Sequence, residues 1–206
     1  MPDTSEAQGP FPDCAKNTIV RGLSEEAKRA IVDRHNEIRR EVAKGQKSGE
    51  GEAANMRKLV WNNELETIAQ RWADQCNYGH AKKRNTLDGT YVGENIAEQE
   101  VWSSNQPSDS DVQSSAASKS TAGWYTSPGH YSQMIWADTA EIGCGMVNYK
   151  NYRRWIGMQG VRTFVVCMYK EGGNWIGQKP YKRGGACSAC PSGYTNCEDG
   201  LCAKNA

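Results

Sequence analysis

The side chains that could carry chemistry in this chain are few, because its sequence contains only three histidines, His35, His80 and His130. His80 ends the stretch CNYGH, and His130 lies in the stretch PGHYSQMIW, where a strand is expected to give way to a helix. Glu94, in the stretch VGENIA, is the third candidate beside His80 and His130. Two imidazoles and one carboxylate can hold a divalent transition metal or shuttle a proton. Their spacing along the chain does not establish that the three side chains meet.

The elements that must position these side chains begin with two helices. Ser24 is a good N-cap for a first helix that is expected to end at Gly45. His35 lies in the apolar stripe of that helix, where a buried histidine with a satisfied hydrogen bond is expected. Asn62 or Asn63 caps a second helix, which has one strongly apolar face.

The second half of the chain combines short helices with strands. Short strands and turns are expected over residues 77–96, and Asp111 is expected to cap a weak helix that ends at Trp124. A brief helix is expected to follow His130. Two longer strands are expected at 143–149 and 162–169, joined by a basic, aromatic loop that contains Tyr152, Arg153, Arg154 and Trp155. Helices before and between strands indicate an α+β fold in which helices cover a sheet.

Cysteine usage and charge limit the class of protein. The chain has eight cysteines, an even number, with four of them in the last twenty residues. That pattern favours disulfides and therefore a secreted protein in an oxidising compartment. The formal net charge is +1, so no large basic field for nucleic acid or an anionic membrane is expected. No apolar run approaches the ~20 residues of a transmembrane helix.

Three segments are expected along the chain. Residues 1–22 are expected to be a flexible lead, since their start has neither the basic residues nor the apolar stretch of a signal peptide. Residues 23–178 are expected to form the main domain. Residues 179–206 have few core-forming side chains and four cysteines, so they are expected to be a small extension stapled by disulfides.

Several motifs together resemble the CAP superfamily, which includes cysteine-rich secretory proteins, antigen five of venoms and pathogenesis-related class-one proteins. The stretch GHYSQMIW is similar to its first signature, and FVVCMYKEGGNW is similar to its second, with departures at Met168 and Glu171. The blocks HNEIRR, LVWNNELETIAQRWADQC, YGH and GENIA match in order, so the resemblance covers about Ser24 to Gly177. It implies a three-layer α-β-α sandwich. The tail CSACPSGYTNCEDGLC resembles venom-allergen-like secreted proteins of nematodes, and the block over 59–80 is also similar to insect venom antigen five.

The resemblance also implies how the cysteines pair. The implied disulfides are Cys14–Cys76, Cys144–Cys167, Cys187–Cys197 and Cys190–Cys202. A zinc knuckle that uses Cys187 and Cys190 is the competing interpretation, which the secreted context makes the minor one.

A central cleft with two histidines and two glutamates is a further implication of the resemblance. His80, Glu94 and His130 match three of those positions, and Ser127, in the stretch WYTS, stands where the second acid is usual. The missing carboxylate weakens the expected hold on a divalent cation, zinc or magnesium. Tyr131 and Gln133 are expected to border the same cleft, with Gln133 bonding buried backbone groups.

Relatives in this family bind sterols, fatty acids or other hydrophobic ligands, so the resemblance implies a lipid-binding protein. An aromatic wall is the first candidate site, and it would use Tyr91, Trp102, Trp124 and Tyr125. A channel between the two long helices is the second candidate, and it would use Ile31, Ile38, Ile68 and Trp72. For each aromatic ring, ordinary core or loop packing is the more frequent role than ligand contact. For the helix pair, a closed core is as consistent with the periodicity as a channel.

Two other functions are alternatives to lipid binding. A metal-dependent hydrolase would use Glu94 as its base, but two histidines are fewer than the usual three protein ligands of a catalytic zinc, so catalysis is not expected. A host-receptor-binding immunomodulator or allergen would act through the loop NYKNYRRWIG, whose residue types dominate binding hot spots. That loop is also consistent with a solvated hairpin. A monomer or weak dimer is expected in either case.

Overall fold

The computed structural model describes residues 12–47, 51–102, 108–153 and 158–205. The helices, in chain order, are α1 (Pro12–Asn17), α2 (Glu25–Ala43), α3 (Asn63–Ala73), α4 (Asp109–Tyr125) and α5 (Pro128–Met134). The strands are β1 (Thr18–Arg21), β2 (Val60–Trp61), β3 (Gly93–Trp102), β4 (Glu141–Arg153), β5 (Met158–Lys170), β6 (Asn196–Glu198) and β7 (Leu201–Ala203).

The two long N-terminal helices begin where their caps predict. Ser24 Oγ accepts a hydrogen bond from the Ala27 amide at 3.2 Å, and Asn62 Oδ1 accepts one from the Leu65 amide at 3.0 Å. Each bond satisfies an amide that has no partner within the helix. Both predicted helix starts are confirmed.

The two later helices begin earlier than the sequence predicted. The N-cap of α4 is Ser108 rather than Asp111, because Asp111 is the third helical residue and bonds back to Ser108 in a capping box. Helix α5 begins at Pro128, a residue suited to the first helical turn, so His130 lies inside the helix and not ahead of it.

The main sheet has the strand order β1-β4-β5-β3, with β2 pairing parallel to β4. Strands β4 and β5 form a hairpin that extends beyond the predicted ranges at both ends, and β3 is a single ten-residue strand where short pieces were predicted. The tip of the hairpin, with Arg154 and Trp155 of the proposed receptor-binding loop, lies outside the described residues. Within the expected N-terminal lead, β1 pairs with β4 and so belongs to the sheet.

Alternation along the central strands divides the core into two layers. Ile142 and Met146 on β4 join the core that α2 and α4 cover, whereas Val147, Phe164 and Val166 join the core under α3. Successive side chains of a strand point to opposite faces, so the helices cover both faces of one sheet. The predicted three-layer α-β-α sandwich is confirmed.

The close packing of α3 depends on a glycine in β4. A Cβ atom at Gly145 would lie 2.4 Å from the Gln70 backbone, a distance that real Cβ atoms do not adopt. Gln70 uses this proximity, since its side chain accepts a hydrogen bond from the Met146 amide at 3.0 Å and donates to the Met146 carbonyl at 3.0 Å. The helix is therefore fixed to the strand by both shape and hydrogen bonds.

The two-layer core corrects the proposed channel between the two long helices. Ile31 and Ile38 of α2 are fully buried in the core that α4 shares. Ile68 and Trp72 of α3 pack against the core on the opposite face of the sheet. Both helices have apolar faces of similar period, but the sheet separates them. The four side chains therefore do not line one channel.

The eight cysteines form the four disulfides that the resemblance implied, Cys14–Cys76, Cys144–Cys167, Cys187–Cys197 and Cys190–Cys202. Three sulfur atoms of the last two pairs lie within 4.8 Å of one another. They are close because two disulfides are adjacent, and oxidised sulfur does not supply the thiolates that a zinc knuckle requires.

The C-terminal extension packs onto the main domain. Leu201 is fully buried in the core beneath α2. The Cys202 amide donates to the Met56 carbonyl at 2.8 Å, and the Cys202 carbonyl accepts from the Lys58 amide at 2.9 Å. The extension therefore shares a core and backbone hydrogen bonds with the domain that precedes it.

A buried arginine of α2 connects several segments of the main domain. Arg39 is fully buried, and its guanidinium donates to five backbone carbonyls, those of Arg57, Met134, Trp136, Ala137 and Thr139. These carbonyls match the five N–H donors of an arginine. Burial is the main cause that lowers the pKa of Arg39 to about 9, so it remains charged at neutral pH.

We predict that Arg39→Met lowers the free energy of unfolding by ~3 kcal/mol or more, because it leaves buried backbone carbonyls without hydrogen-bond donors. Urea denaturation followed by circular dichroism measures the change. Arg29→Met is the matched control on the same helix, since the Arg29 side chain is 66% exposed. We expect the control to change stability by less than ~0.5 kcal/mol. Equal stability of the two variants would contradict the role assigned to Arg39.

Candidate functional site

The first part of the site is a histidine–carboxylate pair. The Nδ1 atom of His80 lies 2.5 Å from Oε1 of Glu94, and the carboxylate can only accept, so Nδ1 carries the proton. Glu94 also accepts from the Ala81 amide at 3.1 Å and from Arg84 at 3.4 Å. The Glu94 side chain is fully buried, whereas that of His80 is 56% exposed. The carboxylate therefore orients an imidazole that faces solvent.

Opposing effects act on the carboxylate of Glu94. Burial raises the pKa of Glu94 above its ordinary value, and the hydrogen bond from His80 and the charge of Arg84 act in the opposite direction. Glu94 is the second residue of β3 and lies opposite Met168 of β5, so the sheet positions it. Its environment holds it against His80 and the backbone and not toward open solvent.

The second part of the site is His130, in the first turn of α5. Its Nδ1 lies 3.0 Å from Oγ of Ser127, and its ring stacks on Trp124 with centroids 5.9 Å apart. Burial lowers the pKa of His130, and the charge of His80 lowers it further. Both effects favour the neutral form of the imidazole, which is the form that binds metals.

A hydrogen bond joins the two parts of the site. Asn95 follows Glu94 on β3, and its Nδ2 donates to the backbone carbonyl of His130 at 3.1 Å. This bond fixes α5 against the strand that carries Glu94. The structure thus places His80 against Glu94 and brings His130 close enough to His80 for their charges to interact.

A buried hydrogen-bond network supports the contact between β3 and α5 from the core side. Asn95 Nδ2 also donates to the Tyr169 hydroxyl at 3.2 Å, and Tyr169 lies 2.9 Å from Nε2 of His35. The Nδ1 of His35 lies 2.8 Å from the Ile31 carbonyl, so it donates there and Nε2 accepts from the tyrosine. The predicted buried histidine with satisfied hydrogen bonds is confirmed at His35. The supporting roles of Asn95 and Tyr169 were missed, although both lie in blocks that resemble the family motifs.

The arrangement has consequences for a metal ion. Within the described ranges, His80, Glu94 and His130 do not gather three donor atoms within 4.8 Å of one another. Glu94 is instead engaged by His80, Ala81 and Arg84. Because Nδ1 of His80 bonds to Glu94 and Nδ1 of His130 lies against Ser127, Nε2 is the atom that each ring would offer to a metal, with Glu94 as the partner that orients His80. The assignment of metal ligands remains a prediction, and imidazole donors favour zinc over magnesium.

The remaining predicted cleft residues each have a different partner. Ser127 is the N-cap of α5 and supplies a hydroxyl to His130. Gln133 is buried, and its Oε1 accepts from the Gly173 amide at 3.1 Å, which is the backbone-bonding role expected for it. Tyr131 packs edge-on against Tyr125, with ring centroids 5.4 Å apart.

The four aromatic residues proposed as a lipid-binding wall do not form one surface. Trp124 is buried in the core and donates from Nε1 to the Ile96 carbonyl at 2.9 Å. Tyr91 lies just before the start of β3, and Trp102 lies at the far end of that strand. At 3.3 Å per residue, the strand spans about 26 Å from Glu94 to Trp102, so Trp102 is far from the end near Tyr91. Tyr125 packs beside Tyr131 instead. The length of β3 therefore separates Tyr91 from Trp102.

Comparison with known proteins identifies the family. The family described as "CAP: Cysteine-rich secretory protein family" matches residues 32–169. The protein is therefore a member of the CAP family. In the described part of the chain, no helix is both long enough and apolar enough to cross a bilayer.

The relatives include venom proteins of centipedes and wasps. Scoloptoxin SSD552 of Scolopendra dehaani is 38% identical over 192 residues, which cover 89% of this chain and 87% of that protein. Venom allergen 5 of Vespa magnifica is 39% identical over 182 residues, which cover 82% of this chain and 77% of that protein.

Solved structures share the fold. The structure described as NaASP2 with Zn²⁺ matches with a TM-score of 0.65 and 28% identity, covering 88% of this chain and 97% of that chain. The structure of BmVAL-1 matches with a TM-score of 0.68 and 26% identity, covering 89% of this chain and 97% of that chain.

The buried His35 makes stability depend on pH. Burial lowers the pKa of His35 from 6.5 to about 4, so the unfolded chain binds a proton in this range that the folded chain does not. We predict that this site alone lowers the free energy of unfolding by up to about 3 kcal/mol as the pH falls from about 6.5 to about 4.

Urea denaturation at several pH values within that window tests the prediction. His35→Gln removes the titrating group, so its stability is expected to fall less steeply with acid than that of the wild type. His80→Gln is the matched control, because the His80 side chain is half exposed. Parallel pH profiles for wild type and His35→Gln would show that His35 does not carry the effect.

Proposed function

We propose that this protein is a secreted CAP protein that binds a hydrophobic small molecule, a fatty acid or a sterol, and acts by binding rather than by catalysis. The four disulfides and the venom relatives support an extracellular location. Action as a host-receptor-binding immunomodulator or allergen stays a prediction.

The observation that carries this proposal is a small cavity of about 10 Å³ between α4 and the sheet, with room for about one water molecule. It is lined by Ala97, Glu98, Gln99, Ser115, Ala116, Thr163 and Val165. The alanines and the valine provide an apolar wall, and the other side chains provide a polar edge. Such a combination suits a ligand with an apolar body and one polar end.

Helix α4 covers the cavity, and it is the element that would move to admit a ligand. Its residues facing the core include Ala116 and Ala117, which are small and bury little apolar area. Ser115 donates to Gln99 at 2.8 Å, a bond that joins the helix to β3 beside the cavity. The cavity is far smaller than a typical ligand pocket of ~300 Å³ or more, so a fatty acid or sterol fits only if α4 moves outward.

The hydrogen bonds of the site support binding over catalysis. The hydroxyl of Ser132 donates to Asn174 at 2.6 Å and not to a histidine. Glu94 already accepts from His80, the Ala81 amide and Arg84, which leaves it a poor general base.

Ala116→Phe tests the location of the lipid site. The added ring is expected to occupy the space that α4 must open for a ligand, and so to weaken fatty-acid or sterol binding at least about tenfold, the equivalent of ~1.4 kcal/mol. Titration with a fluorescent fatty acid and with cholesterol measures the affinity. Ser114→Phe places the same ring on an exposed position of α4 and is expected to leave binding unchanged.

Two outcomes of that titration would overturn the proposal. Saturable binding of neither ligand to the wild type would exclude a lipid-binding function. Wild-type affinity in Ala116→Phe would exclude the cavity under α4 as the site.

A second function, zinc binding by the cleft, is favoured by a specific observation. The neutral imidazole of His130 lies near the oriented imidazole of His80, and a relative that is 28% identical is described with Zn²⁺. When bound, the metal would supply a Lewis acid or a structural link between the two rings. His80 and His130 would hold it, and Glu94 would keep the tautomer of His80 that leaves Nε2 available.

Calorimetric zinc titration of matched variants tests this second function. His80→Ala and His130→Ala are each expected to abolish detectable binding, and Glu94→Gln to weaken it about tenfold or more. Ser127→Asp restores a carboxylate beside His130 and is expected to tighten binding. Equal zinc affinity in wild type and both alanine variants would remove the cleft as the zinc site.

A further inference from the structure

Two tyrosine rings form a corner that holds a cation. Tyr125, at the end of α4, and Tyr131, in α5, have ring centroids 5.4 Å apart and ring planes that meet at 82°. The ammonium nitrogen of Lys47 lies 3.4 Å from the centroid of the Tyr125 ring and 4.3 Å from that of the Tyr131 ring. These three distances put the directions from the nitrogen to the two centroids almost at a right angle, so the cation faces both rings. We call the two rings the tyrosine corner.

The rings are fixed by packing, whereas Lys47 reaches them from a loop. Tyr125 and Tyr131 are half-buried and pack against the core that α2 and α4 cover. Lys47 follows the end of α2, past a turn at Gly45, and its charge is carried on a flexible four-carbon stem. The lysine can therefore leave the corner without a change in either helix. While it stays, it competes with a free ligand as a tethered occupant.

The corner holds Lys47 by charge and not by hydrogen bonds. A lysine ammonium carries three N–H donors. Among the residues that the structure describes, Lys47 has no ion pair and no hydrogen-bond acceptor, and its ammonium contacts only the two ring faces. The corner thus selects a positive charge and offers nothing to an N–H group. Such a site suits a quaternary ammonium, which is cationic and donates no hydrogen bond.

The neighbouring charges of α2 do not oppose a ligand cation. Arg34 donates to Glu37 at 2.6 Å, and this hydrogen bond is the main cause that raises the pKa of Arg34. Glu41 raises that pKa further, and Tyr125 is also within electrostatic range of Arg34. One arginine is thus set against two glutamates on this stretch of α2, which leaves it net negative and favours a cation at the corner.

We propose that the tyrosine corner binds a quaternary ammonium group of the choline type, which enters when Lys47 leaves. Aromatic faces recognise such groups by cation–π attraction. Free choline and the headgroup of a phosphocholine lipid present the same trimethylammonium group. The corner uses none of the residues of the cavity under α4 or of the proposed zinc site, so this proposal can fail without either of those.

Proton NMR of the ligand methyl groups tests the proposal on the full chain. The probes are choline, monomeric dihexanoylphosphatidylcholine, and the neutral analogue of choline in which a carbon atom replaces the nitrogen. Choline is expected to show saturation transfer from the wild type and an upfield ring-current shift of its methyl resonance. The neutral analogue has the same shape without the charge, so it is expected to bind at least about tenfold more weakly.

Matched variants locate the site. Lys47→Ala removes the tethered competitor and is expected to tighten choline binding about tenfold. Tyr131→Leu removes one ring face and is expected to weaken it about tenfold. Lys179→Ala changes an exposed lysine outside the corner, and Tyr78→Leu changes a 53% exposed tyrosine whose ring packs on Phe164, on the opposite face of the sheet. Both controls are expected to bind like the wild type.

The outcomes separate the two sources of the ligand from a failed proposal. Binding of choline and lipid assigns the corner to the trimethylammonium group itself, and binding of the lipid alone that Tyr131→Leu abolishes assigns it to the headgroup. Binding of neither by the wild type would overturn the proposal, as would equal binding of the neutral analogue or unchanged affinity in Lys47→Ala. Lipid binding that a folded Tyr131→Leu retains would overturn it too. Thermal melts establish which variants are folded, and if Tyr131→Leu is not, Lys47→Ala and the neutral analogue decide.

Discussion

The structure depends first on the charge of Arg39 buried against backbone carbonyls. One guanidinium contacts the end of α5, the segment that follows it and the chain at Arg57. Met134, Ile135 and Ala137 pack in the same core as α2, and the guanidinium adds hydrogen bonds to the backbone of these segments. The buried cation is stable only while all its donors are satisfied, so it tolerates one arrangement of those segments. That arrangement fixes the C-terminal end of α5, the helix that carries His130.

The site is a consequence of the same constraint, extended by neutral hydrogen bonds. From α2, the contacts pass through His35 and Tyr169 to Asn95, and then to the backbone of His130. Each member is buried or partly buried, so leaving any donor or acceptor unpaired is costly. The cleft is therefore rigid on its core side, while His80 remains half exposed on the other.

The hydroxyl of Ser127 changes the electrostatics of the cleft. A carboxylate beside His130 would favour its protonated form, whereas a hydroxyl bonds to the ring without adding charge. Burial and the neighbouring His80 then dominate and lower the pKa of His130. Ser127 therefore leaves His130 with a lowered pKa and without a neighbouring negative charge.

Much of the fold and part of the site were predictable from local sequence. Ser24 and Asn62 are caps whose chemistry acts within a few residues, so both helix starts were correct. The family motifs implied the sandwich and the cysteine pairs. The start of α5 was misplaced because Ser127 forms no side-chain cap bond and Pro128 begins the helix instead.

What the sequence by itself determined is therefore the class of the protein, the type of its elements and the identity of its reactive side chains. Only the tertiary structure decided which side chains share a space. Periodicity shows that Ile31 and Ile68 each lie on an apolar face, but it does not show on which side of a sheet that face packs. In the same way, composition marks Glu94 as a possible metal ligand, while the surrounding donors turn it toward His80. Packing and hydrogen-bond satisfaction are long-range properties, so they are settled only when the whole chain is folded.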